Sequence, residues 1–160
     1  MVRWLLLFVL PLAAAVARAE APATKQVAKV KASPSAESDQ GRFEGTWRQT
    51  SLTRNGKAAP EADFEGVKLV FHGDRYTYKS KSGQRDEGTF TINSTKKPAV
   101  MRTTRVDGAD RGKTLVRIYK FSDNDTVSFC SPGPSEVQPR SFEAAEGSGR
   151  ELTVWQREKT

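Results

Sequence analysis

The chain has 160 residues and a mass of 17.7 kDa, room for one folded core and a tail. Its formal net charge is +7, from 26 Lys and Arg against 19 Asp and Glu; with Arg3 and Arg18 set aside as part of a leader, 24 basic residues remain and the net charge is +5. That excess is interleaved with acids, which argues against a dedicated nucleic-acid stripe, and the single cysteine, Cys130, excludes an intrachain disulfide.

Arg3, the apolar run over residues 4–16 and Ala17-Arg18-Ala19 form the three parts of a secretory signal peptide covering residues 1–19. The run is shorter than the ~20 residues needed to span a bilayer, and Pro11 interrupts it. No cysteine lies near the cleavage site, so the expectation is a bacterial protein exported without a lipid anchor, to the periplasm or the medium. Residues 20–41 are rich in Ala, Pro, Lys and Ser and carry no aromatic side chain. They cannot bury enough surface to offset the entropy of ordering, and they read as a flexible tether. Its Lys25, Lys29 and Lys31 suit an anionic envelope surface.

The folded domain is expected over residues 42–158. Its opening strand, residues 43–52, carries Gly45 two places before Trp47, a pattern that lets backbone pass close by while the indole fills one end of a core. Asn55-Gly56 supplies a tight turn, and Pro60 followed by Glu61 and Asp63 suits one helical turn, placed to act as a short lid or plug. Val67, Leu69 and Phe71, then Tyr76 and Tyr78, alternate with polar or outward residues as a hairpin with one apolar face. Phe90 and Ile92 point inward from the next strand, and further strands follow over residues 99–106, 114–121 and 126–130. The three-proline stretch 131–140 is irregular, a short strand is expected around residues 141–143, and residues 151–158 close the domain with Trp155 and Arg157. The fold expected is therefore all-β: an antiparallel meander of about eight strands forming a small barrel, with a short helical turn after the first strand. The Gly45-x-Trp47 opening and an Arg on the last strand resemble lipocalin-type barrels. Gly45, Trp47, Trp155 and Arg157 are accordingly the expected barrel-closing residues, with a guanidinium available to stack on an indole.

Sequence support for chemistry is thin. His72 is the only histidine, and Cys130 lacks a second soft ligand, so zinc chemistry has no ligand set. The acidic loops at Asp107-Gly108-Ala109-Asp110 and Asp123-Asn124-Asp125 have the oxygen donors calcium favours, but Asp and Asn equally favour turns. No nucleophile elbow occurs, and Cys130 reads as a small strand residue rather than a nucleophile. Asp86 and Glu87 are adjacent on a strand, face opposite ways and read as solvated charge. No cofactor, metal site or enzymatic activity is expected. The candidate ligand-binding residues of the barrel interior are Tyr76, Tyr78, Phe90, Arg117 and Tyr119. Arg117 shares a face with Leu115, Tyr119 and Phe121 and would be an inward counter-charge for an acidic ligand, whereas Arg102 and Lys120 point outward.

The chain also resembles an uncharacterised family of small secreted, lipocalin-like domains typical of planctomycetes. The resemblance rests on Glu44-Gly45-Thr46-Trp47 with Asn55-Gly56-Lys57, Gly73-Asp74-Arg75-Tyr76, Glu87-Gly88-Thr89-Phe90 and Lys96-Lys97-Pro98. Asp107-Gly108, Gly112-Lys113-Thr114-Leu115 and Ile118-Tyr119 continue it. It closes on Cys130 with Pro132-Gly133, Pro139-Arg140, Phe142, Gly147-Ser148-Gly149 and residues 152–158. It implies the barrel and no particular reaction. The function expected is an exported, monomeric, non-enzymatic binding module for a small, partly apolar or acidic molecule or a peptide. The alternative is a filled barrel serving as an interaction scaffold at the envelope.

Overall fold

A computed structural model of the protein describes residues 34–159. The expected signal peptide and residues 20–33 of the expected tether lie outside that range. The chain opens with helix α1 (Pro34–Phe43) and continues through β1 (Gly45–Arg54), β2 (Lys57–Ala58), a single 3-10 turn (Glu61–Asp63), β3 (Lys68–His72) and β4 (Arg75–Lys79). Five longer strands complete it: β5 (Arg85–Asn93), β6 (Ala99–Arg105), β7 (Thr114–Phe121), β8 (Thr126–Ser131) and β9 (Glu151–Arg157). Each strand from β3 to β9 pairs antiparallel with the next, β1 pairs with both β3 and β9, and the result is a closed eight-strand barrel with the two-residue β2 as an extra strand beside β1. Closure leaves no long edge to template association. No helix among the described residues is long and apolar enough to cross a membrane.

The alternation written in the sequence is what closes the sheet. Trp47, Leu69, Phe71, Tyr76, Phe90, Met101, Tyr119, Val127, Phe129 and Trp155 all belong to one buried interior cluster. β1 pairs along both edges, as a strand of a closed barrel must, and carries a bulge: its register against β9 shifts between Gln49 and Ser51, and Thr50 donates its hydroxyl to the Val154 carbonyl at 3.2 Å. The bulge bends the strand; residues 45–48 pair with β3 and residues 47–54 pair with β9.

Three local expectations are corrected. The end of the expected tether is helical: α1 is amphipathic only weakly and would not stand alone, but Phe43 is fully buried and Asp39 and Arg42 reach the barrel. The segment after β1 makes only the 3-10 turn, so the plug of the barrel is α1 and not the region around Pro60. Residues 141–143 form no strand. They belong to a strap between β8 and β9 that covers the outer face of β7 and β8. Val116, Ile118 and Cys130 are buried beneath it, together with Pro139 and Ala144 of the strap itself, outside the interior cluster. Cys130 is fully buried there, and burial pushes its thiol pKa up, the state of an inert packing residue.

The strap is fastened by Arg150, which holds the two Glu136 carboxylate oxygens at 2.7 and 2.8 Å and also donates to Ser141 Oγ at 3.3 Å. The hydrogen bond from Arg150 holds the Glu136 carboxyl below its usual range. A folded-state pKa below the unfolded value stabilises the strap at pH values above the ordinary glutamate range of about 4.3, and that contribution is lost as pH falls through the depressed value. Hydrogen exchange over residues 133–150 should therefore accelerate on acidification below pH ~4, and Glu136→Gln should remove that step while leaving the barrel strands protected.

Trp47 is fully buried, and its indole N–H donates to the Phe43 carbonyl at 2.7 Å. Trp47→Ala should destabilise the domain by about 3–5 kcal/mol in urea unfolding. A loss under about 1 kcal/mol would show that the barrel end is closed by other groups.

Candidate functional site

The two ends of the barrel are built differently. At one end the chain enters through α1, whose last residue, Phe43, fills the lumen. Its ring lies 4.8–6.0 Å from those of Phe71, Phe90, Tyr119, Phe121 and Phe129. Offset and edge-on aromatic contacts of this kind add about 0.5–1.5 kcal/mol each beyond the area they bury. Arg157 seals the same end: its guanidinium sits 4.2 Å from the Trp47 ring centroid and donates to the carbonyls of Arg42 and Glu44, at the C-terminus of α1. Its Nε lies 3.2 Å from Asp125 Oδ1. Gly45 passes directly under this group, at φ +111°, and a Cβ there would stand 3.3 Å from the guanidinium. A positive φ and close approach both require glycine.

At the other end a cavity of about 880 Å³ runs from the aromatic floor to the rim, within the size range of small-molecule sites. Its wall includes Leu52, Leu69, Met101, Leu115 and Trp155, with Gln49 and Thr103 as polar interruptions. Tyr76, Tyr78 and Arg117 line it as well. Tyr76 fits because the residue opposite it on β5 is Gly88; a Cβ at Gly88 would clash with the Tyr76 ring and with the Thr104 carbonyl. Burial raises the pKa of both Tyr76 and Tyr78, so each hydroxyl stays a hydrogen-bond donor across the physiological range.

Arg117 is the distinctive group. Its side chain is partly buried, with Nε shut off from solvent and without a hydrogen-bond partner among the described residues. Its carbon Cζ lies 5.6 Å from the Phe129 ring centroid. Desolvation lowers its pKa, and the neighbouring Tyr76, Glu151 and Tyr78 offset this only in part. Cations at the rim are placed otherwise. Arg54 is paired with Glu151 at 2.7 Å, Arg105 with Asp86 at 2.8 Å and Asp110 at 3.0 Å, and Lys113 with Asp110 at 2.6 Å. Among the described residues two cations of the lining make no ion pair, the exposed Arg102 and Arg117, and only Arg117 has a side-chain nitrogen both shut off from solvent and unbonded.

The five expected interior residues divide between the two ends. Tyr76, Tyr78 and Arg117 line the cavity, whereas Phe90 and Tyr119 belong to the packed end. The reason is α1, which occupies the space those two would otherwise line. Tyr119 donates its hydroxyl to Asp39 Oδ2 at 2.8 Å, and burial drives its pKa far up. Of the four expected closing residues, Gly45, Trp47 and Arg157 meet at the sealed end. Trp155 instead faces the cavity, its indole N–H donating to Thr153 Oγ1 at 2.9 Å.

Asp86 is also corrected: it is not solvated charge but lines the cavity, with a largely buried side chain held by Arg105. The pairing of Arg105 with Asp86 was not legible in the sequence because each looks like an ordinary strand charge until the register brings β5 and β6 together. The strap also contributes to the rim through Gly133, Pro134 and Val137, and Val137 is 84 % exposed. His72 is exposed at the sealed end, its Nδ1 2.6 Å from Glu44 Oε1. Among the described residues no group of three or more His, Cys, Asp or Glu is arranged to hold a metal ion.

Compared with known protein families and with curated proteins, the chain matches no family model and no curated relative.

Proposed function

We propose that this protein is an exported, lipocalin-like binding module, related to the small secreted planctomycete-type domains, that holds one small, partly apolar acidic molecule in the open half of its barrel. Arg117 carries the reading. Its guanidinium is desolvated on an apolar wall with no ion pair in contact and only a partial offset from Glu151, so an anionic ligand would supply the missing charge. The Tyr76 and Tyr78 hydroxyls line the same cavity and can donate to the same anion. The apolar wall takes the remainder of the ligand. Nothing in this arrangement supplies an activated nucleophile or an acid–base pair, which supports binding over catalysis.

A fluorescence titration with an anionic anilinonaphthalene sulfonate and with a neutral naphthylamine of similar shape tests the reading. Wild-type protein should bind both. Arg117→Met should weaken the anion by at least about tenfold and leave the neutral probe within about twofold, since a hydrogen bond to a charged group contributes about 1.5–3 kcal/mol. The same substitution should raise the urea midpoint, because it replaces a desolvated charge with an apolar side chain. Equal affinity of wild type and variant for the anion, or a lowered midpoint, would overturn the proposal.

A further inference from the structure

The outer face of the barrel carries a charge arrangement that the cavity does not use. β1, β3, β4 and β5 place Arg48, Lys68, Lys79 and Arg85 in one row of directly paired positions: Arg48 opposite Lys68, Lys68 opposite Lys79, and Lys79 opposite Arg85. Their chain neighbours Trp47, Leu69, Tyr78 and Asp86 face the lumen, so alternation turns all four outward. With strands spaced by about 4.8 Å, the row is about 14 Å long. Like charges directly opposite on neighbouring strands destabilise a sheet, so the row brings the fold no benefit.

Its neutralisation within the protein is partial and weak. Lys68 meets Glu158 at 2.8 Å and Arg85 meets Glu87 at 2.7 Å, both between substantially exposed side chains. Arg48 donates to the amide oxygen of Gln156. Exposed pairs of this kind contribute about 0–1 kcal/mol each and exchange readily for an external anion.

We propose that this row is a docking track for a linear acidic polysaccharide. The row spans three of the eight intervals between neighbouring strands of the barrel, so it curves around a convex wall. A flat bilayer would touch such a row along one tangent and engage one or two cations, whereas a chain with a carboxylate on each sugar follows the curve and meets all four. Nucleic acid is disfavoured because the row offers no aromatic side chain on which a base can stack; its flanking outward positions are Thr46, Val70, Thr77 and Glu87.

The test is fluorescence anisotropy of the full-length mature protein with a labelled oligogalacturonate. Binding should weaken steeply with added salt, as counterion-linked association does. Lys79→Glu with Arg85→Glu should reduce affinity by about tenfold or more and flatten the salt dependence, while Lys96→Glu with Arg111→Glu, the same charge change on exposed loops, should leave it within about twofold. If the reversed row impairs folding, the neutralising pair Lys79→Gln with Arg85→Gln replaces it and should show the same order of effect. Arg117→Met should leave polysaccharide binding unchanged, so this result and the cavity result stand or fall separately. Equal loss in the row and loop variants would reduce the effect to net charge and overturn the proposal. So would tighter, row-dependent binding of phosphatidylglycerol vesicles or of polyuridylate.

Discussion

The structure depends on the meeting of Arg157 with Trp47. These residues come from the last and first long strands, and they lie directly opposite each other in the β1–β9 ladder. The guanidinium stacks on the indole, ion-pairs with Asp125 and takes up carbonyls left free where α1 ends, while the indole N–H takes up the Phe43 carbonyl. One contact therefore closes the sheet, terminates the helix and seals one end of the lumen. A planar cation suits this position because it can lie flat on a ring and still direct several N–H groups at once, which an ammonium cannot.

Sealing one end leaves the cavity at the other. Phe43 enters the lumen with the helix and gathers five aromatic rings around it, so that half of the barrel is packed as tightly as a core. The other half is lined by residues that do not meet across it. The filled barrel and the barrel with an open interior, set against each other on the sequence alone, are in this molecule the two halves of a single lumen. Arg117, with its Nε buried and unbonded, stands on the wall of the open half.

The barrel was legible in the sequence because its signals are local. Two-residue alternation, Asn55-Gly56 and the glycine-rich turns specify strands and hairpins without reference to anything distant. The inward face of Arg117 was legible for the same reason, through its parity with Leu115 and Tyr119. What was not legible depends on tertiary partners. α1 has only Phe43 as a large apolar residue and is held by Asp39 on Tyr119 and Arg42 over Phe121, contacts some 80 residues away in the chain. That plug is why Phe90 and Tyr119, correctly read as inward, do not line the cavity. Asp86 and Arg105 form a rim pair only because β5 and β6 are in register, and the row of Arg48, Lys68, Lys79 and Arg85 exists only in the paired sheet.

The most direct test of the central claim is native mass spectrometry of the mature protein recovered gently from its own host. The account predicts a reproducible added mass that leaves on denaturation and is identified as an apolar molecule bearing one acidic group. Protein carrying no such mass, or carrying a neutral or cationic molecule in its place, would contradict it.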